Sequence, residues 1–95
     1  MLSHVVLLQP RPETTEDQVT TALDHVKALQ QAIFGILDIQ AGKNMSTSHQ
    51  GYTYGFIIRF ADSEHFQTYA PHSAHQPVSE ELQRLCQKII DFDIT

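Results

Sequence analysis

The sequence predicts an α+β domain in which four strands and two helices follow the order β-α-β-β-α-β, with the strands in one antiparallel sheet. Two observations predict this class: four segments rich in Val, Ile, Leu and aromatic residues have strand character, and a long stretch between the first two repeats apolar residues with helical spacing. Because 95 residues suffice for one hydrophobic core, we expect a single domain over residues 1–95.

The first strand is predicted from Leu2 to Gln9 and is blocked by Pro10 and Pro12. Apolar side chains alternate onto both faces, so we expect cover on both sides of this strand. His4 then points into a packed region, either as a core histidine bonded to a backbone carbonyl or as part of a site.

The first helix begins at Thr14 or Thr15, where Thr15 and Gln18 match a capping box, and Gly35 is its predicted C-cap. One apolar stripe runs along it, formed by Val19, Ala22, Leu23, Val26, Leu29 and Ile33. A second strand follows from Ile36 to Ala41, and then a polar loop over residues 42–51.

The third strand, from Tyr52 to Phe60, has the clearest alternation in the chain. One face carries Tyr52, Tyr54, Phe56, Ile58 and Phe60. A stripe of this kind is usually core, so it requires a large apolar partner surface.

The second helix begins at Asp62 or Ser63 and is broken by Pro71. We expect a loop over residues 72–77, a return to helix at Val78, and a last strand over residues 89–94. The resulting order is that of the split βαβ, ferredoxin-like fold. A domain this small buries a modest share of its surface, so self-association would add burial.

Composition excludes several classes of function. The net charge is −5 and the six Lys and Arg residues are scattered singly, so no basic stripe exists for nucleic acid. Cys86 is the only cysteine, which excludes an internal disulfide and a Cys-based zinc site and suits a reducing compartment. With neither a basic leader nor a long apolar run, we expect a cytoplasmic protein without a membrane partner.

The richest concentration of proton-exchanging groups lies in Tyr69-Ala70-Pro71-His72-Ser73-Ala74-His75-Gln76. A histidine, with an ordinary pKa of about 6.5, accepts and returns a proton near neutral pH. A neighbouring tyrosine hydroxyl can donate a hydrogen bond to a developing enolate or alkoxide oxygen.

Seven segments, in order, resemble the stress-responsive A/B-barrel (Dabb) family over essentially the whole chain. They are S-H-V-V-L-L, P-E-T-T-E-D-Q, G-K-N, G-Y-T-Y-G-F, F-A-D-S-E, Y-A-P-H-S-A-H-Q and D-F-D. The resemblance implies a ferredoxin-like protomer that forms a homodimer, sheet to sheet, as a dimeric α+β barrel.

Plant polyketide cyclases of that family perform an intramolecular aldol cyclisation without a cofactor or metal, in a pocket within each protomer. The resemblance assigns their acid–base histidine and tyrosine to His75 and Tyr69, and a further pocket histidine and aspartate to His4 and Asp93. It therefore implies a small apolar or aromatic ligand.

Two departures from the family concern the pocket rather than the fold. Another pocket histidine of the family falls on Tyr54, and the family's H-P-A-H reads H-S-A-H over residues 72–75, with the proline displaced to Pro71. We expect Tyr54, Phe56 and His72 to contact the substrate.

We hypothesise that His75 is a general base oriented by Asp93, that Tyr69 donates to the substrate oxygen and that His4 assists. In one alternative, His72 and His75 cap the broken helix of a non-catalytic, stress-associated binding or oligomeric protein. In the other alternative, His72 and His75 bind a metal ion, and His4 or Asp93 completes the metal site. A cavity faced by His75 and Tyr69 would favour chemistry, and a filled interior would favour the non-catalytic alternative.

Overall fold

A computed structural model describes residues 1–95 and shows four strands and three helices. In chain order these are β1 (Leu2–Pro10), α1 (Glu16–Ala32), β2 (Ile36–Lys43), β3 (Tyr54–Phe60), α2 (Ser63–Tyr69), α3 (His75–Leu85) and β4 (Cys86–Ile94). The strands form one antiparallel sheet in the order β2-β3-β1-β4. The predicted fold class is thus confirmed, with the second helix divided into α2 and α3. None of the helices is both long and apolar enough to cross a membrane.

Helix α1 begins with the predicted capping box. The Thr15 side chain accepts from the backbone N–H of Gln18, and the Gln18 side chain accepts from the backbone N–H of Thr15. The helix ends earlier than expected, with Ile33 rather than Gly35 as its C-cap. Gly35 lies in the turn that follows, at a left-handed φ of 94°, and a Cβ there would meet the His65 side chain at 2.3 Å.

Helix α1 and the other helices pack on one face of the sheet, which we call the helix face. The largest fully buried side chains there are Leu8, Val26, Ile58 and Phe60. Full burial of such a side chain contributes roughly 1.5–3 kcal/mol. Phe56, Ile58 and Phe60 are all buried, so the predicted stripe of the third strand belongs to the core from Phe56 onward.

Two boundaries near the C-terminus were predicted wrongly. Helix α3 begins at His75 rather than at Val78, because Pro77 occupies its third position, where a backbone N–H has no partner within the helix. Strand β4 begins at Cys86 rather than at Ile89, since the backbone turns extended directly at Cys86 (φ −114°, ψ 140°). His75 therefore belongs to a helix and is not a loop residue.

The loop between β2 and β3 is also placed differently. Strand β2 continues to Lys43, past the predicted end at Ala41, and β3 begins at Tyr54 instead of Tyr52. Past the end of β2, the Asn44 backbone N–H donates to the carbonyl oxygen of Thr53 at 2.8 Å, and the Asn44 side chain donates to the carbonyl oxygen of Tyr52 at 2.8 Å.

The second face of the sheet, which we call the open face, carries no helix. Val5, Ile57 and Phe92 lie side by side on it in the ladder, and Phe92 is 52% exposed. Within the protomer, β1 is therefore covered on one side only, and the expected cover of its other side would have to come from outside this chain.

Candidate functional site

A cavity of about 360 Å³ lies between the helix face of the sheet and helices α2 and α3. Its lining consists of His4, Val6, Phe56, Phe66, Tyr69, Ala70, His75, Val78, Ser79, Leu82, Gln83, Ile89 and Asp91. Exposed residues of α3 and β4 are among them, so the cavity opens to solvent at that edge. The interior is therefore not filled, and three of the four residues expected to carry chemistry line it.

His4 is held in place by a carboxylate. It lies on the helix face of β1, directly opposite Asp93 of β4, and its Nδ1 is 2.6 Å from Asp93 Oδ1. Since an ionised carboxylate can only accept, Nδ1 carries the proton and Nε2 is left without a protein partner. His4 is 8% exposed, and its imidazole bonds to a side chain, not to the backbone carbonyl that a core histidine would use.

His75 is held by the backbone. Its Nδ1 lies 3.1 Å from the carbonyl oxygen of Ala70, which can only accept, so this imidazole too is protonated at Nδ1 and presents a free Nε2 lone pair. The expected orientation of His75 by Asp93 is wrong. Antiparallel pairing of β1 with β4 places the carboxylate against His4.

The ring of Tyr69 contacts both imidazoles. Its centroid lies 4.3 Å from that of His75 and 5.8 Å from that of His4. Burial raises the pKa of Tyr69, so the phenol stays protonated near neutral pH. No hydrogen bond to another protein group accompanies this shift, and the hydroxyl is not among the fully enclosed unpaired atoms. It is therefore available as a donor to a ligand.

The expected substrate contacts divide into two groups. Phe56 lines the cavity, whereas Tyr54 and His72 lie outside it. Tyr54 is opposite Leu8 in the ladder, beyond the cavity residues. The Nδ1 of His72 accepts from the backbone N–H of Ala74 at 3.0 Å and stabilises the turn before α3.

The histidines of this segment are not arranged as metal ligands. No group of three or more His, Cys, Asp or Glu side chains is placed to hold a metal ion. The Nδ1 atoms of His72 and His75 both bond to the backbone, and no third side chain is placed to complete a metal site with these two residues.

Phe66 and Asp91 are among the lining residues that the sequence analysis did not assign to the site. Phe66 packs against His4 with ring centroids 5.3 Å apart, and Asp91 lies at the open edge. Strand alternation contained a signal for Asp91, because it has the same parity in β4 as Asp93 and so shares the helix face.

A family model described as the stress responsive A/B barrel domain matches residues 2–95. No curated protein matches the chain. A dimeric ferredoxin-like protein of unknown function from Jannaschia sp. CCS1 is 27% identical, with a TM-score of 0.87 over 99% of this chain and 97% of that one.

Two further solved structures share the fold at lower identity. A protein from Arabidopsis thaliana is 23% identical with a TM-score of 0.92, over 100% of this chain and 94% of that one. The hydroxynitrile lyase from Passiflora edulis is 14% identical with a TM-score of 0.89, over 98% and 90% respectively.

Proposed function

The chain belongs to the stress-responsive A/B barrel domain family, and we propose that it performs cofactor-free acid–base chemistry of the aldol or cyclase type on a small aromatic or polyketide-like carbonyl compound. The observation that carries the proposal is the meeting of His4, Tyr69 and His75 in one cavity. Apolar walls around a few convergent polar groups are the usual form of a small-molecule site.

The proposed reaction begins at His75. Its Nε2 takes a proton from a carbon next to a substrate carbonyl, while the Tyr69 hydroxyl donates to that carbonyl oxygen as negative charge develops. The resulting enolate carbon attacks a second carbonyl of the same molecule and forms a carbon–carbon bond. The new alkoxide recovers the proton from the His75 imidazolium, so the base is regenerated.

His4 and Asp93 form the second part of the proposed machinery. The carboxylate fixes the His4 tautomer and would stabilise an imidazolium, as the aspartate of a His–Asp pair does. The ring of Tyr69 contacts both imidazoles, and this supports a role for His4 in assisting proton transfer to the substrate oxygen. Asp93 is thus a positioning residue for His4 in this scheme.

The similarity to the hydroxynitrile lyase from Passiflora edulis supports the proposal at the level of the fold. It indicates that this architecture can accommodate a lyase reaction. The identity of 14% transfers neither the substrate nor the residues.

We further propose that two copies associate through their open faces into a dimeric α+β barrel. The uncovered apolar side chains of Val5, Ile57 and Phe92 support this, as does the dimeric state of the Jannaschia protein. Association there would leave the cavity free, because the cavity lies on the opposite face of the sheet.

A second candidate function is binding without turnover. The hydrogen bonds of His72 and His75 to backbone groups around the broken helix favour it, because such bonds stabilise a turn whether or not chemistry occurs. In that case the cavity would hold an apolar ligand and the imidazoles would be structural.

The test uses 1-phenylhexane-1,5-dione, an aromatic diketone whose intramolecular aldol reaction closes a six-membered ring. We expect the protein to accelerate ring closure, and His75→Gln and Tyr69→Phe each to reduce the rate by about 100-fold. His25→Gln, which replaces an exposed histidine outside the cavity, is the matched control and should retain the rate.

Each result has a distinct meaning. Full activity in both cavity variants, with the fold intact, would refute the assigned roles. A thermal shift with the diketone but no ring closure would support the binding function instead, since a ligand of the native state raises stability.

A further inference from the structure

The cavity lining contains one acidic side chain and no Lys or Arg. Asp91, exposed on the helix face of β4 opposite Val6, contributes the only carboxylate of the lining. Asp91 makes no hydrogen bond or salt bridge that would offset its charge, unlike Asp93 two residues later, which is paired with His4.

None of the six Lys and Arg side chains lines the cavity, and three of them are engaged elsewhere. Arg59 pairs with Asp38 on the open face, and Lys43 pairs with Glu16 at the start of α1. Arg11 donates to carbonyl oxygens at the end of α3. An anionic ligand would therefore find no cationic side chain among the residues that touch it.

We propose that the cavity selects uncharged carbonyl compounds over carboxylates and phosphates, and that Asp91 is the specificity-determining residue; this inference rests on the proposed function of the cavity. A ligand carboxylate would lose part of its hydration in the cavity without gaining a cationic partner. It would also meet the like charge of Asp91 at the open edge. For an uncharged amide or ketone of the same shape, neither the loss of ionic hydration nor the charge repulsion arises.

The experiment compares two isosteric probes, 4-acetylbenzamide and 4-acetylbenzoate, with the full-length protein at pH 8 and low salt. Dissociation constants are measured by ligand-observed NMR. We expect the amide to bind about tenfold more tightly than the carboxylate, and we expect the ratio to shrink at 0.5 M salt because screening weakens the repulsion.

Asp91→Asn removes the charge with little change of shape and should bring the ratio of the two constants to within about threefold. Asp24→Asn is the matched control, because Asp24 is exposed on α1 and does not line the cavity. It makes the same change in net charge and should leave the ratio as it is in the unmodified protein.

The outcomes separate this inference from the proposed function. Equal binding of the two probes by the unmodified protein, or an unchanged ratio in Asp91→Asn, would overturn the charge selection while leaving the cavity as a ligand site. Failure of both probes to bind at millimolar concentration would overturn both, because the cavity would then not be a site for aromatic carbonyl compounds.

Discussion

The Nδ1 atom of His4 and the Oδ1 atom of Asp93 lie 2.6 Å apart, although 89 positions separate the two residues in sequence. They face each other because β1 and β4 pair antiparallel in the register that sets residue 4 opposite residue 93. This hydrogen bond favours the His4 tautomer that is protonated at Nδ1, and it leaves Nε2 available in the cavity.

Asp93→Asn should weaken the preference of His4 for the tautomer protonated at Nδ1, without disturbing the fold. The neutral amide is a poorer acceptor for Nδ1–H, so we expect His4 to populate both tautomers and turnover to fall by about tenfold to 100-fold. Nitrogen-15 chemical shifts of the imidazole report the tautomer directly. A single, unchanged His4 tautomer in the variant would contradict the role that we assign to Asp93, and Asp24→Asn is the control.

Tyr69 should make stability depend on pH in the alkaline range. Burial raises its pKa above the ordinary 10.0, so the unfolded chain loses this proton first and stability falls as pH rises above about 10. The loss between pH 10 and 11 should be about 1 kcal/mol, measured by urea unfolding, and Tyr69→Phe should abolish it.

Two controls isolate this effect. Burial also raises the pKa of the Cys86 thiol, so all proteins in the series carry Cys86→Ala. Tyr52→Phe, in the loop before β3, should keep the full alkaline loss. If the stability of the Tyr69→Phe protein fell equally between pH 10 and 11, Tyr69 would be excluded as the source of the alkaline loss.

Phe92→Asp should prevent association through the open face. A carboxylate in an apolar interface loses hydration without a partner, so we expect the molar mass in solution to fall from twice 10.8 kDa to 10.8 kDa. Light scattering coupled to size-exclusion chromatography measures it. Phe34→Asp is the matched control, because Phe34 is 88% exposed in the turn after α1 and should not affect assembly.

Gly35→Ala should destabilise the protomer by about 1–3 kcal/mol, because it combines a left-handed φ with a Cβ position 2.3 Å from the His65 ring. Gly42→Ala places the same methyl group where no atom lies within 4 Å and should cost less than about 1 kcal/mol. Denaturant midpoints of the two variants give the comparison, and equal midpoints would refute it.

Much of the fold could be read from short-range patterns. The capping box of Thr15 and Gln18, the stripe of α1 and the alternation of β3 depend on neighbours a few residues apart, and all three are present in the structure. The predicted boundaries of helices and strands were wrong where the local sequence signal was ambiguous. Pro77 reads as a helix breaker, yet the first turn of a helix tolerates it.

The site was predictable in part. The resemblance to the family selected Tyr69, His75 and His4, which the structure brings to one cavity. It could not show that Asp93 holds His4 and not His75, because that choice depends on which strands pair and in which register. Likewise, His72 and His75 look alike in sequence, and only the turn between α2 and α3 directs one of them into the cavity.

The sequence alone determined the order of strands and helices, the family resemblance and the residue types able to exchange protons, since these follow from local spacing and composition. Tertiary structure decided which groups meet. The β1–β4 ladder joins His4 to Asp93 and places Asp91 at the cavity edge, because strand register, unlike helical periodicity, is set by contacts between residues far apart in the chain.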